Sequence, residues 1–327
     1  METKDGAVFT VKGFVHPPHR IVAYLRYVPD PAGGRERAGR RYRRVYHFEE
    51  QREALQEGWP AHLAYDPMSG VQLQTVLRRD VRLVYDPCLC LQRLLERGPT
   101  DPLQETALAL TELLGTAAGV PLSALGVTGS LLVDLHNASS DIDIVVYGAE
   151  ECRAVHGCLT SLLDDPSTPV CRPEGEHLAA IHKAHNMDTP LSLSDFARLQ
   201  AGKVNEGRFC GRSYFVRFVK RSCEVAERYG DPRYELLGPA SIRARVEDHA
   251  DAMFTPCRYI VGDVTILQGV PTGDVREIVS FRGRFADQAK TGDWVLARGR
   301  LERIVSGKMP RSCRLTVGGQ PGDYLLS

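Results

Sequence analysis

Nowhere does this chain of 327 residues hold an uninterrupted apolar run near the roughly eighteen residues that a membrane-crossing helix needs. Its opening, METKDGAVFTVKG, lacks the basic-then-apolar plan of a signal peptide. The two absences lead to the expectation of a cytoplasmic protein with no membrane partner. Net charge is missing too, since 41 Lys and Arg face 41 Asp and Glu. This excludes a polyelectrolyte binder acting through its whole surface, and any nucleic-acid contact has to come from a local patch. Nine cysteines include no C-x-x-C pair, and the one close pair, Cys88-Leu89-Cys90, sits on an apolar stretch. That argues against zinc and disulfides and for buried thiols in a reducing compartment. No internal repeat and no long low-complexity tract is found. What remains is ordinary globular material, 43% hydrophobic and 25% charged, with length enough for two or three domains.

One stretch organises the rest. Leu125 to Gly148 reads LGVTGSLLVDLHNASSDIDIVVYG. An apolar approach turns at Thr128-Gly129-Ser130, and after a polar break the chain enters Asp141-Ile142-Asp143-Ile144-Val145-Val146. Alternation that becomes wholly apolar is the pattern of a strand entering a core. Successive strand residues point to opposite faces, so Asp141 and Asp143 share one face and Ile142 and Ile144 the other. Paired carboxylates repel one another and lose hydration unless a cation sits between them, which is the chemistry of a magnesium site. Gly129 lets backbone approach a ligand closely, Ser130 offers a hydroxyl, and a helix starting near Leu131 would turn free N–H groups to the same place.

Gly129-Ser130, ten intervening residues and Asp141-Ile142-Asp143 together resemble the signature of the DNA polymerase β-like nucleotidyltransferase superfamily. The context Ser139-Ser140-Asp141-Ile142-Asp143 is similar to that family's wording. The resemblance covers Leu125 to Gly148 alone and implies a mixed sheet with helices, a nucleoside triphosphate substrate and magnesium or manganese as cofactor. It also implies transfer of a nucleoside monophosphate to an acceptor hydroxyl with release of pyrophosphate. Asp141 and Asp143 match the first two metal-holding acids, and Gly129 and Ser130 the triphosphate turn. A third acid is expected in the middle of a neighbouring strand. The best-placed strand, 212–220, carries none and offers Arg217 instead, a cation that can reach the phosphates. Glu206, just before it, is the substitute candidate. The alternative is a degenerate module of the same fold that holds nucleotide or RNA without turnover. Acceptor, base preference and oligomeric state stay open.

The rest of the chain frames this core. Residues 7–30 are expected to form strands, with His16-Pro17-Pro18-His19 a stiff turn rather than a metal site. From Arg35 to Arg44 there are six arginines in ten residues, with Tyr42 and Tyr46 interleaved. Arg40, Arg41, Arg43 and Arg44 are candidates for RNA or DNA phosphates, against the plainer reading of a solvated hairpin tip. Helical spacing covers 48–58, 88–118 with a break at Gly98-Pro99, 149–163, 176–185 and 192–201, and 241–252 is read as a helical linker between strands. Short glycine-broken strands close the chain like a small barrel, with Trp294, Phe281, Phe285, Arg282, Arg284, Arg298 and Arg300 able to form a nucleic-acid face. The expected fold is therefore α+β with an α/β-like core. Residues 1–86 form a β-rich domain, 87–270 the nucleotidyltransferase-like domain with its preceding helices, and 271–327 the barrel.

Overall fold

The computed structural model describes residues 1–307 and 309–327. It is a mixed α+β structure with seven α-helices and three sheets among the described residues. None of those helices is long and apolar enough to cross a membrane.

The central sheet has five strands in the order Val170–Cys171, Glu206–Phe209, Arg212–Val219, Ile142–Tyr147, Leu125–Val127. Only Ile142–Tyr147 and Arg212–Val219 run parallel. Helices Pro102–Ala118 and Ala149–Asp164 cover one face, where Ile142, Ile144 and Val146 pack with Leu110, Leu114, Val155 and Leu159. The chain marks the helix starts locally. Asp86 and Asp101 precede Pro87 and Pro102, and each carboxylate accepts from two backbone N–H groups of the first turn. A cap of this kind is worth about 1 kcal/mol, and proline at the first helical position loses no needed donor. Gly119 ends the longer helix with φ +65°, a conformation that favours glycine.

The N-terminal sheet runs from Glu2–Thr3 to Val81–Leu83 around the long strand Arg20–Pro29. Helix Phe48–Gly58 closes its core through Leu55 against Phe9, Leu25 and Val76.

The third sheet is ring-like. Arg233–Asp248, Cys257–Gln268, Val275–Ser280, Met309–Thr316 and Trp294–Ser306 pair in turn, and the last returns to the first. The helix expected at 241–252 is not formed, because those residues lie largely in the strand Arg233–Asp248. Ile242, Ala244 and Val246 are buried while Arg243, Arg245 and Glu247 are exposed, a period of two rather than 3.6. Arginine and glutamate suit helices in isolation, but closing the ring on two partner strands decides the outcome. The division expected after residue 270 falls between two paired strands of this one sheet, Cys257–Gln268 and Val275–Ser280.

No cysteines are bonded to each other among the described residues. The expectation of buried thiols holds for Cys152, Cys257 and Cys313, whereas Cys171, Cys210 and Cys223 are exposed.

Candidate active site

The site sits on the sheet face that the helices leave bare. With Ile142, Ile144 and Val146 turned into the helix layer, Asp143, Val145 and Tyr147 point the other way. On the parallel neighbour, Phe215 stands beside Asp143, Arg217 beside Val145 and Val219 beside Tyr147. Arg217 therefore shares the face of Asp143, one step diagonally along the sheet. A cavity of about 530 Å³ opens over this face, and Gly129, Ser130, Asp141, Asp143 and Arg217 all line it.

The Gly-Ser turn is locked onto the carboxylate strand. The Thr128 N–H donates to the Asp143 carbonyl at 2.9 Å, and Leu135 N–H donates to the Ser130 carbonyl at 3.0 Å. Gly129 has φ +64°, and a Cβ there would lie 2.6 Å from Cγ and 2.8 Å from Cβ of Asp143, and closer still to Oδ2. The glycine thus makes room for the Asp143 carboxylate itself. The short helix Gly129–Leu132 follows, and within it the Ser130 hydroxyl is buried without a hydrogen-bond partner among the described residues. An orphaned hydroxyl of this kind costs about 1–3 kcal/mol unless a ligand oxygen meets it. We expect Gly129→Val to lower the melting temperature and to abolish metal-dependent nucleotide binding, because the side chain displaces Asp143. A Gly129→Val protein that folds and binds ATP with magnesium as wild type does would reduce this turn to a connection.

Electrostatics single out Asp143. Burial, and then the charge of Asp141, push its carboxyl up to about 7, against the opposing pull of Arg217, Arg26 and Arg44. Arg217 is itself lowered by burial and by Arg26, and raised by Asp143. No group of three or more His, Cys, Asp or Glu able to hold a metal exists among the described residues. Two carboxylates, an orphaned hydroxyl and the space left by Gly129 nonetheless fit one magnesium or manganese ion whose other ligands are phosphate and water oxygens. The three-acid pattern does not fit, because Arg217 stands on the strand that would supply the third. Glu206 is paired across Phe215, so it faces the same side two strands from Asp143. Its carboxylate is already engaged by Gln200 Nε2 at 2.7 Å, and Lys203 and His185 hold it low against the cost of burial.

The arginine run divides between two tasks. Arg35 donates to the Leu135 carbonyl and to Ser140 Oγ, each at 2.8 Å. Arg37 reaches the Val133 carbonyl at 3.0 Å and Glu2 at 2.8 Å. Together they clamp the hairpin onto the link between the Gly-Ser turn and the Asp strand. Along strand Arg40–Arg44, Arg40, Tyr42 and Arg44 share one face and Arg41 and Arg43 the other, so the four candidate phosphate ligands do not form one patch. Arg40 donates to the Asp5 carbonyl and Arg43 pairs with Asp30, while Arg44 stacks on Tyr46 and lines the cavity. The expected C-terminal nucleic-acid face also separates. Phe285 is core, Arg282 and Arg284 pair with the buried Asp188, and Trp294 lies exposed under Arg243.

Three further cations stand over the site, of which the sequence had singled out only Arg282, and that for a C-terminal nucleic-acid face. Lys12 and Arg26 come from the N-terminal sheet, and Arg282 comes from the loop after ring strand Val275–Ser280. Asp188 holds these parts together by accepting from the Phe48 N–H at 3.3 Å, Arg282 at 3.2 Å and Arg284 at 3.0 Å. The cleft is therefore walled by all three sheets and lined mainly by positive charge, with Asp141, Asp143 and Glu206 as its carboxylates.

Comparison with known proteins adds a relative but no function. No family model and no solved structure matches the chain. Over 326 residues it is 29% identical to a protein of Methanocaldococcus jannaschii described as "Uncharacterized protein MJ1086", covering 97% of this chain and 94% of that one.

Proposed function

We propose that this protein is a cytoplasmic nucleotidyltransferase that moves a nucleoside monophosphate from a nucleoside triphosphate to an acceptor hydroxyl. The observation that carries the reading is the contact between turn and strand. Gly129 yields its Cβ space to Asp143 beside the orphaned Ser130 hydroxyl, in a cavity walled by arginines. In this reading the five-stranded mixed sheet is a polymerase β-like core and the ring is the accompanying small barrel. Asp141 and Asp143 would hold magnesium or manganese, which supplies charge neutralisation at the phosphates when bound. Ser130 Oγ donates to a phosphate oxygen. Arg217, Arg26 and Arg44 carry positive charge toward the departing pyrophosphate. The acceptor oxygen bonds to the α-phosphorus, the bond from that phosphorus to the bridging oxygen breaks, and pyrophosphate leaves with the electron pair. The hydroxyl proton passes to water in the cleft.

Arg217 in the place of a third acid favours a second reading, a module that binds nucleotide or RNA without turnover. The two are separated by incubating the purified protein with magnesium, labelled nucleoside triphosphates and fractions of cellular RNA, protein and metabolites. Pyrophosphate release with label gained by one fraction is the expected result. Nucleotide binding with no release from any fraction supports the second reading, and absence of both overturns the assignment.

A further inference from the structure

A second and larger cavity, about 950 Å³, lies between the N-terminal sheet, residues 220–239 and the ring. Its walls include the aromatic rings of Tyr24, Phe48, Tyr234 and Phe281. It meets the catalytic cavity at Lys12, Gly13, Phe14, Tyr24 and Thr255, which line both. Asp141, Asp143, Gly129 and Ser130 line only the smaller one. The two spaces are thus neighbours with a shared doorway, and the transferring chemistry lies on one side of it.

Lys12 stands in the doorway. It is 6% exposed, and among the described residues its ammonium has no acidic partner and donates no hydrogen bond. The ammonium lies over the Tyr24 ring, 5.1 Å from its centroid. Burial first, and then the repulsion of Arg217, Arg26, Arg282 and Arg284, hold the ammonium well below the ordinary lysine range. Three of these arginines have counter-charges, since Arg217 faces Asp143 and Arg282 and Arg284 bond Asp188. Even so, Arg282 leaves Nε and Nη2 without partners among the described residues while stacking 3.5 Å from the Phe48 ring centroid. A buried cation among like charges is costly, and an anion arriving there removes the cost. The triphosphate of the other substrate belongs beside Ser130 and Asp143, and the larger cavity on the far side of Lys12 leaves room for the anion of a second molecule.

We infer that the larger cavity is the acceptor site, and that the acceptor is a phosphorylated sugar or nucleoside whose phosphate rests on Lys12 in the doorway. Its ring lies against Tyr24, Phe48 and Phe281, and its hydroxyl enters the smaller cavity. A space of this size suits a ligand of nucleotide dimensions, for which cavities of roughly 300–1,000 Å³ are usual. This inference rests on the nucleotidyltransferase reading, and its transfer step is the one balanced above.

The test is calorimetry on the full chain with magnesium and saturating α,β-methylene-ATP, which cannot transfer its nucleotide. Ribose 5-phosphate is the probe, with ribose as the control lacking the anion. Saturable binding of ribose 5-phosphate is expected, at least tenfold tighter than ribose. In Lys12→Met it should weaken at least tenfold, while the affinity for α,β-methylene-ATP shifts less than twofold. Lys12→Met removes a buried charge and retains length, so it should melt no lower than wild type. Equal loss of both ligands in Lys12→Met would assign the lysine to the triphosphate and overturn the inference. Absence of ribose 5-phosphate binding in a protein that still binds α,β-methylene-ATP overturns the inference alone, leaving the transferase reading standing. Displacement of the probe by a short RNA that itself binds tightly through Lys12 would overturn the small-molecule class.

Discussion

Replacing Asp141 and Asp143 together with asparagine is expected to abolish magnesium-dependent nucleotide binding and pyrophosphate release while making the metal-free protein more stable. Both effects come from one arrangement. Asp143 is turned into a cleft beside Asp141, and its carboxyl is pushed up to about 7 by burial and by that neighbouring charge. In the unfolded chain the same carboxyl titrates near about 3.9. A folded value above the unfolded one means that folding favours the protonated form. The stabilisation is complete below the unfolded value and is lost as pH rises through the folded one. At pH 5 the unfolded chain is already largely ionised while folded Asp143 keeps its proton, so the double substitution should gain only roughly 1–2 kcal/mol. At pH 8 the charge is present and its removal should gain roughly 2–4 kcal/mol, on the scale of about 1.4 kcal/mol per pKa unit. Thermal melts in a chelator at both pH values, beside calorimetry with ATP, test the two halves separately. Unchanged ATP affinity with and without magnesium in the double variant would sink the metal role. A lower melting temperature at pH 8 would sink the electrostatic account.

The second large effect is expected at Arg217. Its guanidinium shares the face of Asp143, stacks near the Phe215 ring at 5.1 Å and offsets part of the repulsion between the two carboxylates. A cation there competes with any second metal ion for the same negative charge. Wild type should bind one manganese ion tightly, and a second weakly or not at all. Arg217→Asp restores three acids on adjacent strands and should raise the stoichiometry toward two. Arg217→Ala should instead lower the melting temperature of the metal-free protein, because less positive charge then opposes the repulsion of the two carboxylates, with manganese affinity equal or better. Manganese titrations on the three proteins, with pyrophosphate release measured alongside, decide the matter. Two tight ions in an active wild type would show that the third acid comes from elsewhere. Glu206 is then the first to test, since it already faces the same side of the sheet.

Much of the central unit was legible because its signals are local. The alternation from Asp141 to Val146 announces a strand with two acids on one side, and Gly129 beside Ser130 announces a turn with a purpose. Asp86-Pro87 and Asp101-Pro102 announce two helix starts. Each signal lies within a few residues of what it determines, as hydrogen-bond geometry and side-chain periodicity require. The strand through 241–248 shows where this breaks down. Its alternation is present in Ser241-Ile242-Arg243-Ala244-Arg245-Val246, but arginine, alanine and glutamate equally suit a helix. The choice falls to partners, Cys257–Gln268 on one side and Trp294–Ser306 on the other.

The arginine run was visible as a charge pattern and silent about direction. Pairing into a hairpin sends Arg41 and Arg43 one way and Arg40 and Arg44 the other, while Arg35 and Arg37 anchor the hairpin on residues 133–140. Nothing in the sequence placed Lys12, Arg26 and Arg282 over the carboxylates, and Arg282 was expected on a C-terminal nucleic-acid face instead. A cation on an alternating strand looks the same whether it meets water or a buried carboxylate. By itself the sequence determined the paired acids, the turn that faces them and the helices behind, because those depend on neighbours along the chain. The sequence also pointed to Arg217 on the neighbouring strand, where the pairing puts it, but only the tertiary structure decided that cations from two other sheets roof the cleft. Coulomb interactions act through space between groups brought together by packing, wherever they sit in the sequence.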